Sequence, residues 1–126
     1  METATRRPLI GVTGDIEPVP GSRTGAYRVR VNGAYLDAIV KAGGLPVVMH
    51  AAPELAAGYV EQLDGVMLTG GNDVDTTAWG VAMHPKAVAV HAQRQRFETE
   101  LLRSIDTVRG GRVPTLGVCL GMQMMG

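Results

Sequence analysis

The sequence predicts an α/β fold built on a parallel sheet, and three observations carry that prediction. Four short, nearly continuous apolar runs, at Leu9–Val12, Leu45–Met49, Val66–Leu68 and Val113–Val118, have the length of strands buried on both faces. Between them lie segments whose apolar residues recur at three and four, as in helices that cover such a sheet. Hydrophobic residues make up 45% of the 126 residues and charged residues 19%, a globular composition on the scale of one domain.

Residues 1–7 are expected to form a mobile terminus. Leu9–Val12, after Pro8, is the first strand. Thr13 to Gly25 holds Gly14, Pro18, Pro20 and Gly21, so many breakers that a loop is expected. From Arg28 to Ala42 the residues Val31, Ala34, Tyr35, Ala38, Ile39 and Ala42 mark one helix face, closed by Gly43-Gly44. Leu45–Met49 is a second strand. Pro53 suits the first turn of a helix reaching about Leu63, because that turn leaves donors unpaired anyway. Val66–Leu68 is a third strand, stopped by Gly70-Gly71, and residues 72–90 show no clean period. Phe97, Leu101, Leu102, Ile105 and Val108 mark a helix over His91–Val108, on which Arg94 and Glu98 are expected to pair along the surface for ~0.3–0.5 kcal/mol. Gly110-Gly111 ends it, and Val113–Val118 is the fourth strand.

Charge and cysteine content narrow the function. Twelve basic residues balance twelve acidic ones, giving no electrostatic argument for nucleic acid or an anionic membrane. No apolar run approaches the ~20 residues of a membrane span, and a cytoplasmic location is expected. A single cysteine, Cys119, excludes an intrachain disulfide and a multi-cysteine zinc site. It sits in Gly117-Val118-Cys119-Leu120-Gly121, a glycine-bracketed segment between an expected strand and helix. This is the form of a nucleophile elbow, whose tight turn tolerates only small flanking residues. A helix N-terminus there favours thiolate, and the Leu120 N–H would point where an oxyanion forms. Gln123, one turn on, would face the same side and hydrogen-bond a bound amide. The competing reading is an inert buried cysteine.

The second segment of interest is Leu68-Thr69-Gly70-Gly71-Asn72-Asp73-Val74-Asp75. Glycines at a strand's carboxyl end let backbone N–H groups meet a ligand, and ligands of open parallel sheets bind at those ends. Gly70 and Gly71 are thus candidates for the same cleft as Cys119, and a plain glycine-rich turn is the alternative. Asp73 and Asp75 are too few for a dedicated cation site, so no metal is expected. His50 is expected to end a strand on the site's side and His91 to open a helix. For these two and His84, a surface or loop role is favoured.

Together these residues resemble the class I glutamine amidotransferase-like superfamily, most closely its γ-glutamyl-γ-aminobutyrate hydrolases (peptidase family C26). The resemblance rests on Pro8–Thr13, Tyr35–Val47, Asp64–Asp75, Arg94–Leu102 and Pro114–Gln123. It implies a flavodoxin-like three-layer sandwich with a mostly parallel sheet, of which residues 8–126 form the N-terminal half. It also implies cofactor-free hydrolysis of a small γ-glutamyl amide. Cys119 would form a γ-glutamyl thioester, Gly70 and Leu120 would donate to the oxyanion, and Gln123 would lie near the glutamyl group. The family's catalytic histidine and its acidic partner would lie beyond Gly126. Leu120 stands where such hydrolases commonly carry Arg, His91 and Gln95 where acids are frequent, and Thr76 where Pro is. Two other readings follow: a glutaminase domain passing ammonia to a synthetase, and a truncated or split non-enzymatic relative that self-associates or needs a complementing C-terminal half. A nucleotide-binding reading lacks a Gly-x-Gly-x-x-Gly or Walker segment.

Overall fold

A computed structural model describes residues 6–70 and 91–118. Four strands form one parallel sheet in the order β4-β1-β5-β6: β1 (Leu9–Thr13), β4 (Leu45–Met49), β5 (Gly65–Leu68) and β6 (Thr115–Gly117). The register sets Val12 beside Val48 and Met67, and Leu68 beside Gly117. Helix α1 (Gly33–Lys41) connects towards β4, α2 (Ala56–Gln62) towards β5, and α3 (Ala92–Thr107) precedes β6. This is the α/β, mostly parallel architecture expected of a flavodoxin-like fold.

Alternation along β1 distributes the helices over two faces. A Cβ on Gly11 would meet Leu63 Cδ1 at 2.3 Å and Met49 Sδ at 2.9 Å, so its face carries the segment after α2. Ile10, its neighbour, faces the other way and closes on Gly44 together with Ile39 of α1. Most of the core lies on the first face, where Val60, Val66, Leu68, Phe97 and Leu101 are almost wholly buried. Tyr59 and Phe97 meet edge to face at 6.1 Å there, joining α2 to α3. Gly43 ends α1 at φ +96°, a conformation glycine adopts without steric penalty, and the Gly44 N–H reaches the Ile39 carbonyl.

Three expectations need correction. The stretch read as a loop and helix start forms an antiparallel hairpin, β2 (Asp15–Pro18) with β3 (Tyr27–Arg30). Ile16 opposite Val29 is its apolar rung, and Pro18, which has no N–H to donate, stands at the strand end. Helix α1 therefore starts only after Asn32. Second, burial on both faces holds for the central strands β1 and β5, whereas Leu45 and Val48 on β4 and Leu116 on β6 are exposed. Third, Arg94 and Glu98 are completely buried. Near the N-terminus, Arg6 pairs with Asp64 at 2.8 Å, and Asp64 also accepts the Leu9 N–H at 2.7 Å. These bonds, the backbone one foremost, hold the Asp64 carboxyl below its usual range.

Candidate active site

Parallel strands direct all their carboxyl ends to one edge of the sheet. At that edge β1 ends in Thr13, β5 continues into Thr69-Gly70, and β6 continues into Val118. The Val118 N–H donates to the Leu68 carbonyl at 2.9 Å. The residue preceding Cys119 is thereby fastened beside the strand that leads to Gly70.

Thr13 and Thr69 are tied reciprocally across β1 and β5. The Thr69 N–H donates to Thr13 Oγ1 at 2.9 Å, and the Thr69 hydroxyl donates to the Thr13 carbonyl at 2.8 Å. Both residues are buried. The two hydroxyl oxygens also lie 3.2 Å apart, and the Thr13 hydroxyl favours the ionised form of the Glu98 carboxyl.

Below this strand end lies Arg94 of α3. Its guanidinium meets five oxygens: Glu98 Oε1 (3.2 Å), the Thr69 carbonyl (2.9 Å), Thr69 Oγ1 (3.2 Å), the Gly70 carbonyl (3.2 Å) and Asp15 Oδ1 (3.4 Å). Burial pushes the Glu98 carboxyl above its ordinary range, against the opposing pull of Arg94 and Thr13. Among the described residues, Glu98 Oε2 is buried without a hydrogen-bond partner.

Above the strand end a cavity of about 330 Å³ opens between the hairpin, the start of α1 and the end of β5. Asp15, Arg30, Asn32, Tyr35, Thr69 and Gly70 line it. The Gly70 N–H donates to the Tyr35 hydroxyl at 3.2 Å. Its partner, Tyr35, is one of the residues that line the cavity. Asp15 and Arg30 are already engaged, with Arg94 and with Glu17 respectively.

The family model for peptidase C26 matches residues 8–126. The chain belongs to the peptidase C26 family. Among similar proteins is Protein NtpR of Enterococcus hirae, 28% identical over 94% of this chain and 49% of that protein. A Mycobacterium tuberculosis protein named "Putative glutamine amidotransferase Rv2859c" is 32% identical over 94% of this chain and 39% of its own length. A Rickettsia prowazekii protein named "Putative glutamine amidotransferase-like protein RP404" is 30% identical, over 94% and 42%. The chain spans half or less of the length of these relatives.

Of the site residues the sequence singles out for this C26 chain, Gly70 stands at the strand-end cavity. Gly71, Cys119, Leu120 and Gln123 lie outside the described residues, as do Asp73, Asp75, Thr76 and His84. His91 caps α3, its Nδ1 accepting the Gln93 N–H at 3.2 Å. His50 follows β4, stacks on Tyr27 at 6.2 Å and donates its backbone N–H to the Tyr59 hydroxyl. Because β4 and β6 are the outer members of the order β4-β1-β5-β6, His50 stands three strand spacings, roughly 14 Å, from the strand that leads to Cys119.

Sequence reasoning missed Thr13, Asp15, Tyr35, Arg94 and Glu98 as members of this edge. For Arg94 and Glu98 a signal existed. Positions 94, 97, 98, 101 and 105 form one helical stripe, and Phe97, Leu101 and Ile105 on it are core residues. Asp15 carried none, since the hairpin it opens was expected to be a loop, and Tyr35 was expected only on the apolar face of α1. Among the described residues, no helix is long and apolar enough to cross a membrane.

Proposed function

We propose that this chain carries the nucleophile and oxyanion half of a cysteine hydrolase acting on γ-glutamyl amides. The observation that carries the reading is the Val118-to-Leu68 hydrogen bond, which ties the residue before Cys119 to the strand that runs into Thr69-Gly70 and so supports a shared site. In the proposed reaction the Cys119 thiolate attacks the γ-carbonyl carbon, and the carbonyl oxygen takes the negative charge. Gly70 and Leu120 N–H groups stabilise that charge. Collapse of the adduct breaks the C–N bond and releases the amine, which must gain a proton. Water then cleaves the γ-glutamyl thioester, giving glutamate and the free thiol. The proton-transferring histidine of the family is assigned to no residue of this chain.

The test uses the whole gene product with a panel of γ-glutamyl amines and glutamine, measuring released glutamate. Hydroxylamine should intercept the thioester as γ-glutamyl hydroxamate, and Cys119→Ala should abolish both signals. Turnover that survives Cys119→Ala overturns the reading. A glutaminase that delivers ammonia to a partner is the second reading, favoured by the names of the Mycobacterium and Rickettsia relatives and by Leu120. Preference for glutamine over every γ-glutamyl amine would select it.

A further inference from the structure

We propose that Arg94 is a positioning residue for the candidate site, whose buried guanidinium clamps the carbonyls of Thr69 and Gly70 and so aims the Gly70 N–H into the strand-end cavity. The functional side of this proposal rests on the γ-glutamyl reading; the clamp itself does not.

The argument starts from the peptide bond. In a planar trans peptide the C=O and the following N–H point in opposite directions, so fixing one fixes the other. Arg94 Nη2 holds the Thr69 carbonyl at 2.9 Å on the α3 side. The N–H of that same peptide, belonging to Gly70, points the other way and meets Tyr35 in the cavity. Nη1 holds the next carbonyl, that of Gly70, at 3.2 Å, which sets the direction in which the chain leaves β5. A cation bonded to a carbonyl also polarises its peptide and strengthens the N–H as a donor.

The guanidinium makes four hydrogen bonds here and one ion pair. It carries five N–H groups in a rigid fork, and five oxygens surround it. Glu98 takes Nε one turn along α3 and holds the fork's base. Thr69 Oγ1 takes a second Nη2 donor, and Asp15 forms an ion pair with Nη1 at 3.4 Å. A lysine ammonium, with three donors at a point, can keep the charge but cannot reach both carbonyls in this geometry. Shape, rather than charge alone, is what the site requires.

The test uses the whole gene product with Arg94→Lys and Arg94→Ala, each first checked for a cooperative melt. One readout is amide hydrogen exchange over residues 68–71, which depends on no assumption about chemistry. The other is the ratio of two Cys119 labelling rates. The glutamine-like electrophile 6-diazo-5-oxo-L-norleucine places its carbonyl oxygen at the oxyanion position; iodoacetamide has no such need. Both variants should exchange the Gly70 amide faster and lose on the order of 100-fold in the ratio. Millimolar guanidinium should restore part of the ratio in Arg94→Ala. A folded variant with the parent's exchange and ratio overturns the proposal, and Arg94→Lys, which keeps the charge buried, decides the matter if Arg94→Ala does not fold. Should the parent protein react with iodoacetamide and ignore the glutamine analogue, the γ-glutamyl reading fails. The clamp then stands or falls on the exchange rates.

Discussion

Glu98 and Asp64 show how two carboxyls of one chain respond oppositely to folding. Burial raises Glu98 above the ordinary 4.5, so between that value and its folded value the folded chain holds a proton that the unfolded chain has lost. Its contribution to stability therefore falls as pH rises through that window. Asp64 is lowered from 3.8, chiefly by the Leu9 N–H, so its contribution is present above 3.8 and is lost as pH falls through the folded value. Urea titrations from pH 3 to 7 should show Asp64→Asn losing part of the acid-side decline and Glu98→Gln losing the opposing slope. A Glu98→Gln profile parallel to the parent's would mean that burial does not govern this carboxyl. On the proposed reading Gly70 donates to the oxyanion, and loss of one such donor costs roughly 2.7–4 kcal/mol of barrier. Gly70→Val should accordingly cut kcat by about 10²–10³-fold, read from glutamate release. The position of Gly70 at the strand end was legible, because a glycine after a strand marks where the strand stops, and the cavity opens there. The burial of Arg94 was hidden: an i,i+4 ion pair reads as solvated until its stripe is seen to coincide with Phe97 and Leu101.

Among the elements, those with a single clear period were legible. The runs at β1, β4 and β5 and the stripe of α3 appear where the sequence puts them, within a residue or two. The β2–β3 hairpin was not, because its four-residue strands carry one apolar rung and their breakers dominate the local signal. Its turn is closed by a side chain: Ser22 Oγ accepts the N–H groups of Thr24 and Ala26. The false helix start at Arg28 has the same origin, since Val31 falls in phase with α1 by coincidence. Burial at the sheet edges was also illegible, since apolar runs do not reveal which strand ends up outermost. Close packing between elements gives a direct test at Gly11. A methyl group there would meet Leu63 and Met49 well inside contact distance, and overpacking of this kind costs about 1–3 kcal/mol. Gly11→Ala should lower the urea midpoint with no change in the slope of the transition.

For the whole molecule, Phe97 joins the layers, standing 1% exposed between α2, α3 and the sheet. Phe97→Ala should cost about 3–5 kcal/mol, a large share of the 5–15 kcal/mol that holds an ordinary domain folded. Equilibrium unfolding measures it, and a loss below 1 kcal/mol would contradict the packing described. The strand order has a consequence in time. Both neighbours of β1 are in place once Leu68 has been made, whereas β6, which docks on β5, is translated only after the whole of α3. At roughly 5–20 residues per second, a nascent chain displays Thr69-Gly70 for several seconds before the cysteine emerges from the ribosome. Cys119, the proposed nucleophile, is thus made only after β6, the strand that docks on β5.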